Sequence, residues 1–356
     1  MRGACRRHRA AAHASEAGGG EMTRVDLRSS TPKYDGPLLR LDGLCVHFES
    51  EHGEVTDAVK HVSLDLHVGE RFALVGESGS GKSVTALSIM RLLADAQYSG
   101  RILLEGRDLL AASEREMRGL RGADVAMVFQ EPMTSLNPVL SIGRQLTETL
   151  EQHLNSNKEE SQARAIELLG LVGISEPQRR LRQYPHHLSG GMRQRVMIAM
   201  SLACNPKLII ADEPTTALDV SIQAQIISLL KRLCHEHGTA VMLITHDMGV
   251  IAEAADRVAV MYSGRIAEIG PVQEVVRAAK HPYTHGLMGS IPHICHHVDQ
   301  LTQIEGSMPR LQEIPPGCPF NPRCEEVTDR CRVERPNLQV AEASEVACHL
   351  FDRADA

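Results

Sequence analysis

One stretch of this chain has the residue types and the spacing needed to hold phosphate groups. Residues 76–83 follow the pattern glycine, any four residues, glycine, lysine, serine. The glycines let the backbone curl so that its amides point at phosphate oxygens, while Lys82 adds a mobile positive charge and Ser83 a hydroxyl for Mg²⁺. We expect ATP or GTP to bind this phosphate loop through the following residues: Gly76, Ser78, Gly79, Ser80, Gly81, Lys82 and Ser83.

A second group of polar side chains follows three short, largely apolar runs at residues 125–129, 208–211 and 241–245. Each run predicts a buried strand with polar residues after it: Gln130, the pair Asp212 and Glu213, and His246. Asp212 is expected to hold Mg²⁺, directly or through water, and Glu213 to polarise an attacking water as general base. The apolar residues before this pair argue against a solvated strand end.

The elements that must position these groups can be read from the periodicity of the sequence. Residues 71–75 predict a buried strand ahead of the phosphate loop, and residues 84–93 predict a helix after it. Residues 41–48 and 62–66 alternate like strands of an antiparallel subdomain. Residues 142–153 and 158–172 have amphipathic helical spacing. The phosphate loop is therefore predicted to have the strand-loop-helix context that it requires.

The segment 188–195, which reads Leu-Ser-Gly-Gly-Met-Arg-Gln-Arg, shows which kind of ATPase to expect. It resembles the signature motif of the ATP-binding cassette (ABC) family, where the motif opens a helix. In that family a serine hydroxyl, glycine amides and the positive end of the helix face a phosphate. That phosphate belongs to an ATP held mainly by another cassette. The resemblance thus implies that Ser189, Gly190 and Gly191 act on a partner's ATP.

The same resemblance, which covers roughly residues 40 to 270, implies roles for several further residues. Gln130 would ligate Mg²⁺ and position water, and His246 would contact the γ-phosphate and stabilise transition-state charge. Asp219, in a loop that reads Thr-Ala-Leu-Asp, would touch the opposing cassette. Phe48 is the only aromatic residue where the family stacks adenine, and core packing is an equally good interpretation of it.

The fold implied is an α/β P-loop NTPase: a RecA-like core with an antiparallel β subdomain and an α-helical subdomain. We predict a disordered N-terminal extension at residues 1–37 and an ABC ATPase domain at 38–275, with its helical insert at about 131–187. A C-terminal extension at 276–356 is predicted to carry a metal site.

Two segments narrow the resemblance to the peptide and nickel branch of ABC importers. The insert begins with Glu-Pro-Met-Thr-Ser-Leu-Asn-Pro at 131–138 and ends with Tyr-Pro-His-His at 184–187. The sequence His-Pro-Tyr-Thr at 281–284 resembles the C-terminal extension of that branch. We therefore expect an ATPase that energises uptake of dipeptides or oligopeptides. A nickel importer, a glutathione importer and a non-transport ABC ATPase are the alternatives.

Cys318, Cys324, Cys331 and Cys348 lie close to the end of the chain. Four thiolates suit a tetrahedral Zn²⁺ or an iron–sulfur cube, but the tight C-x₂-C pair of many zinc sites does not occur here. Members of the resembled branch carry a [4Fe–4S] cluster on such a pattern. The cluster is therefore our first interpretation, with zinc and unligated thiols as alternatives.

The composition limits the function classes further. The formal net charge of -7 gives no reason to expect nucleic-acid binding, and no apolar run of 18 residues suggests a membrane span. The arginine-rich first residues lack the apolar stretch of a secretory signal, and Met22 is an alternative start.

The resemblance also implies partners. They are a second, related cassette subunit, two membrane permease subunits and a periplasmic or lipoprotein solute-binding protein. The implied location is the cytoplasmic face of the bacterial inner membrane.

Overall fold

The computed structural model describes residues 34–49, 53–130, 135–214, 220–289 and 304–352. The predicted disordered extension at residues 1–37 lies almost wholly outside these ranges. The predicted contact residue Asp219 and the start of the helical insert at 131–134 also lie outside them.

The strands form two sheets. In chain order they are β1 Leu39–Glu49, β2 Val55–Leu66, β3 Arg71–Val75, β4 Ala96–Leu104, β5 Arg107–Asp108, β6 Val125–Val128, β7 Leu208–Asp212, β8 Ala240–Ile244, β9 Arg257–Tyr262, β10 Arg265–Pro271, β11 Gln339–Ala341 and β12 Ser344–Val346. One sheet has the order β2-β1-β4-β5 with antiparallel pairing. The other has the order β11-β12-β10-β9-β3-β8-β7-β6.

The middle of the larger sheet is parallel and buried on both faces. In β3, Phe72 and Leu74 pack into the core beneath the antiparallel sheet, whereas Ala73 and Val75 pack on the opposite face. Successive side chains of a strand point to opposite faces, so a strand covered on both sides must be apolar throughout. This explains why the short apolar runs predicted as strands show no alternation.

The helices cover the larger sheet and build the insert. They are α1 Lys82–Ile89, α2 Glu114–Leu120, α3 Ile142–Leu154, α4 Lys158–Leu171, α5 Pro177–Arg180, α6 Gly190–Ser201, α7 Val220–His237, α8 Met248–Ala254, α9 Val272–Arg277, α10 Pro282–Gly289 and α11 Asp329–Val333. None of these helices is long and apolar enough to cross a membrane.

Local sequence explains where the helices of the insert begin. Ser141 caps α3 by accepting a hydrogen bond from the Arg144 amide at 3.3 Å. Asn157 and Glu160 cap α4 reciprocally, because each side chain bonds the other residue's backbone amide. The apolar faces of α3, α4 and α6 then share one buried cluster with β7 and β8. The predicted fold class, an ABC cassette with antiparallel and helical subdomains, is confirmed.

The C-terminal extension continues the larger sheet. β12 pairs antiparallel with β10, where Glu268 faces Val346, and β11 pairs with β12. Residues from the extension also share a buried cluster with β3 and β9. The boundary at 275/276 stays a prediction, although these strands join both sides of it in one sheet.

Candidate nucleotide site

The phosphate loop lies between β3 and α1, and its glycines are required by its geometry. Gly76, Gly79 and Gly81 have φ values of 148°, 81° and 102°, which side chains rarely allow. A Cβ atom on Gly76 would lie 2.2 Å from the carbonyl oxygen of Met261. The loop can therefore curl closely against the β9–β10 hairpin.

Lys82 is drawn into this loop. Its Nζ donates hydrogen bonds to the carbonyl oxygens of Gly76 at 2.8 Å and Glu77 at 2.9 Å. Burial lowers the pKa of Lys82, while the carboxylates of Glu213, Asp212 and Glu77 act in the opposite direction. The ammonium group is thus placed where backbone oxygens and nearby carboxylates stabilise its charge.

Ser83 and Asp212 bring a hydroxyl and a carboxylate together. Ser83 Oγ lies 3.2 Å from Asp212 Oδ1, across the gap between α1 and the end of β7. Burial raises the pKa of Asp212, and the hydrogen bond from Ser83 opposes that shift. Oxygen ligands of this kind suit Mg²⁺, which usually takes only one or two protein ligands beside substrate phosphates. The residues present therefore fit a magnesium ion.

Glu213 is contacted by two of the predicted site residues. Gln130 Nε2 donates to Glu213 Oε2 at 3.0 Å, and His246 Nδ1 lies 3.2 Å from Glu213 Oε1. Glu213 has a φ of 45°, and its amide donates to the Ile244 carbonyl oxygen at 2.8 Å. A non-glycine residue with a positive φ costs conformational energy, so the surrounding contacts must hold Glu213 in this conformation.

Parallel pairing explains why these groups meet. β3, β8, β7 and β6 lie side by side in parallel, so their carboxyl ends share one edge of the sheet. The phosphate loop follows β3, Gln130 lies just beyond β6, and His246 lies just beyond β8. Asp212 ends β7 and Glu213 follows it. The arrangement can hold a phosphate chain, a divalent cation and a water beside a carboxylate.

The signature segment lies at the start of α6. Ser189 caps this helix, with its Oγ accepting a hydrogen bond from the Met192 amide at 3.4 Å. Ser189 and Gly190 are exposed, and a Cβ atom on Gly190 would meet nothing within 4 Å. The positive end of a twelve-residue helix is therefore open to a ligand from outside the chain.

Phe48 lies in β1, opposite Thr56 of β2 and Ala96 of β4. Its partly buried ring packs against the core beneath the antiparallel sheet. This contact accounts for the core-packing interpretation, while adenine stacking stays a prediction.

The predicted [4Fe–4S] cluster is wrong. Among the described residues, no group of three or more histidine, cysteine, aspartate or glutamate side chains could hold a metal ion. Cys318, Cys324, Cys331 and Cys348 are free and line one cavity of about 10 Å³. Burial raises the pKa of Cys318 and Cys348 to about 11, which favours the neutral thiol over the thiolate that binds metal. The fold brings the four cysteines to one cavity, but their spacing in the sequence could not predict whether they share a metal ion.

The sequence did not predict the contacts that the C-terminal extension makes with the phosphate loop. Arg323 forms an ion pair with Glu77, and the Tyr283 hydroxyl accepts a hydrogen bond from the Glu77 amide at 2.9 Å. The one sequence signal was Glu77, a charged residue within the glycine-rich loop, and the sequence did not indicate which residue it pairs with.

The fold and this arrangement of residues define an ABC-type ATPase. The sequence model of the family described as ABC transporter matches residues 59–216. The model described as Oligopeptide/dipeptide transporter, C-terminal region, matches residues 267–331. A solved structure of the ATP-binding cassette MJ0796, a dimer in a post-hydrolysis state bound to ADP and Pi, has a TM-score of 0.60 and 30% identity. The match covers 66% of this chain and 98% of that one.

Full-length relatives identify the branch. The oligopeptide transport ATP-binding protein AppD of Bacillus subtilis (strain 168) is 50% identical over 323 residues, which are 90% of this chain and 98% of AppD. The dipeptide transport ATP-binding protein DppD of Escherichia coli (strain K12) is 48% identical over 318 residues, 88% of this chain and 96% of DppD. The chain belongs to the oligopeptide/dipeptide branch of the ABC transporter ATP-binding proteins.

Proposed function

We propose that this chain hydrolyses ATP to energise the uptake of dipeptides or oligopeptides through a membrane importer. The observation that carries the proposal is the Glu213 carboxylate, held by Gln130 and His246 at the sheet edge that also carries the phosphate loop. The names and the full-length similarity of AppD and DppD support peptides as the cargo.

In the proposed site, the amides of the phosphate loop and Lys82 bind the phosphate chain of ATP. The loop residues involved are those predicted from the sequence: Gly76, Ser78, Gly79, Ser80, Gly81, Lys82 and Ser83. Lys82 already lies among the loop carbonyls, so its charge is available at the loop centre. Phe48 is retained as the candidate for adenine stacking.

Ser83, Asp212 and Gln130 would hold the magnesium ion. When bound, the ion neutralises charge on the phosphate oxygens. Ser83 and Asp212 supply the paired oxygens already described, and Gln130 is the third candidate ligand.

Glu213 accepts a proton from the attacking water, and Gln130 keeps its carboxylate directed into the site. His246, whose Nδ1 lies beside the other oxygen of this carboxylate, would contact the γ-phosphate and stabilise the charge that develops on it.

The open start of α6 supports a head-to-tail pair of cassettes. Ser189, Gly190 and Gly191 would bind the ATP held by an opposing cassette, and Asp219 would contact that subunit. The similar MJ0796 cassette is described as dimeric in two solved structures. We propose that the second cassette here is a related but different chain.

The proposed assembly adds two membrane permease subunits and a periplasmic or lipoprotein solute-binding protein. The chain would lie at the cytoplasmic face of the bacterial inner membrane, with no role in nucleic-acid binding. The proposed domain division is an N-terminal extension at 1–37, an ATPase domain at 38–275 and a C-terminal extension at 276–356.

This function can be tested by reconstituting the chain in vesicles with the permease subunits and the solute-binding protein that neighbouring genes encode. We expect ATP-dependent uptake of labelled dipeptides or oligopeptides, and loss of that uptake when Lys82 is replaced by alanine. Uptake of nickel or glutathione without peptide uptake would contradict the peptide assignment. ATP hydrolysis that no solute stimulates would contradict transport.

A further inference from the structure

Arg323, in the C-terminal extension, holds the carboxylate of Glu77 in the phosphate loop. Its Nη1 lies 3.1 Å from Glu77 Oε1 and 3.0 Å from Oε2, although the residues are 246 positions apart in the chain. The Arg323 side chain is only 7% exposed, and its Nε donates to the Glu305 carbonyl oxygen at 2.9 Å. An enclosed guanidinium with several fixed partners is a specific contact rather than a loose surface ion pair.

Two further contacts from the extension lie on the same loop. The buried Tyr283 accepts a hydrogen bond from the Glu77 amide at 2.9 Å, and its ring packs edge-on against Tyr262, with centroids 4.6 Å apart. Met308 Cε would lie 3.1 Å from a Cβ atom on Gly79. The extension thus contacts the loop at its side chain, its backbone amide and its glycine surface.

The charge of Glu77 gives the Arg323 contact a functional meaning. A carboxylate within a loop that binds a polyanion would repel the phosphates, and the effect is strong where water is partly excluded. The electrostatic influence of Glu77 reaches Lys82, whose pKa it helps to raise against burial. Burial by itself lowers the pKa of Arg323, but the hydrogen bonds that Arg323 donates to Glu77 and Tyr262, together with the charge of Glu77, raise it above its usual value. Arg323 therefore stays cationic beside Glu77.

We propose that Arg323 is a positioning residue for ATP binding. It neutralises Glu77 and holds that carboxylate in place, so that the phosphate loop accepts a triphosphate only when the C-terminal extension is packed against it. This inference rests on the proposed ATPase function and gives the extension a part in the nucleotide site.

Steady-state ATP hydrolysis by the assembled transporter tests the role of Arg323. We expect Arg323→Ala to raise the KM for ATP roughly tenfold and to change kcat by less than about threefold, since the lost interaction serves binding. Adding Glu77→Gln should recover most of that loss, because it removes the charge that Arg323 compensates. Arg323→Lys should lie between the two, since an ammonium keeps the positive charge but loses the bond that Nε of the guanidinium donates to the Glu305 carbonyl oxygen, and so holds that charge less firmly.

Arg330→Ala is the matched control, because Arg330 belongs to the same extension and pairs with Glu334 at 2.6 Å. It should leave the KM for ATP unchanged. If Arg323→Ala lowers the melting temperature but leaves the KM for ATP unchanged, then Arg323 only stabilises the fold and the proposal is overturned. A double variant as impaired as Arg323→Ala would exclude the charge mechanism.

Hydrogen exchange on the wild-type transporter provides a measurement that needs no variant to fold. If the packed extension favours ATP binding, ATP must in turn favour the packed extension, because coupling between sites is reciprocal. ATP should therefore slow amide exchange at residues 304–323, and unchanged exchange there would overturn the proposal. Both measurements add ATP without any peptide. Their outcome therefore does not depend on whether the transporter takes up peptides, and the two failures can be told apart.

Discussion

Glu213 Oε1 lies 3.2 Å from Nδ1 of His246, and the other oxygen of the same carboxylate accepts a hydrogen bond from Gln130 at 3.0 Å. Glu213 is 17% exposed, whereas His246 is 63% exposed. The carboxylate is thus held on both sides while the imidazole faces open space, where a phosphate group can approach it.

Glu213→Gln should separate ATP binding from ATP hydrolysis. Glutamine has nearly the same shape and can still bond Gln130 and His246, but it cannot accept a proton from water. We expect kcat to fall at least about a hundredfold and the dissociation constant for ATP to change by less than about threefold. Turnover and equilibrium binding of ATP measure the two effects, and substantial ATPase activity in this variant would refute the general-base role.

Ser189→Ala tests whether the start of α6 serves an opposing cassette. The hydroxyl caps its own helix, so its loss should cost about 1 kcal/mol of stability whatever its other role. Ser141→Ala is the matched control, because Ser141 caps α3 in the same way. We expect similar melting temperatures for the two variants, but a loss of ATP turnover in the assembled transporter only for Ser189→Ala. Equal turnover in both would contradict the partner-facing role.

Local sequence was enough to predict the parts of the candidate nucleotide site, because each part is a short segment with its own pattern. The phosphate loop needs glycines where φ is positive, as at Gly76 and Gly81, and it needs Lys82 and Ser83 directly after them. The strands before Gln130, Asp212 and His246 are short apolar runs because both faces of the sheet are covered. Parallel pairing then brought their ends together.

Contacts between distant segments could not be predicted in the same way. Nothing in the sequence around Glu77 indicates an arginine 246 positions later, because an ion pair depends on how the extension packs. The spacing of Cys318, Cys324, Cys331 and Cys348 likewise allowed several outcomes. Whether four cysteines come together as metal ligands depends on the fold and not on their spacing, and the metal prediction was wrong.

His281 should make the protein sensitive to mild acid. Burial lowers the pKa of His281 from 6.5 to about 4, and its Nδ1 accepts a hydrogen bond from the Tyr283 amide at 3.0 Å. Between these pH values the unfolded chain binds the proton and the folded chain does not. The stability present above pH 6.5 is therefore lost as the pH falls toward 4, by up to about 3 kcal/mol.

Urea unfolding at several pH values between 7.5 and 5 measures this dependence. His281→Asn should flatten the decline, because asparagine can offer an acceptor near the Nδ1 position without titrating. The exposed His235 provides the control, since His235→Asn should leave the wild-type slope in place. Parallel curves for wild type and His281→Asn would contradict the assignment.

Gly76→Ala should destabilise the fold, not only the binding of nucleotide. The new Cβ would lie 2.2 Å from the Met261 carbonyl oxygen, in a backbone conformation with φ of 148°. Since neither backbone can move without disturbing the β3 and β9 pairing, we expect a loss of about 3 kcal/mol or more. Gly170→Ala is the control of opposite sign, because Gly170 lies in α4 with nothing within 4 Å of its Cβ position. There alanine should stabilise the helix by about 0.5 kcal/mol. Equal unfolding free energies for the two variants would contradict the close approach of the phosphate loop to β9.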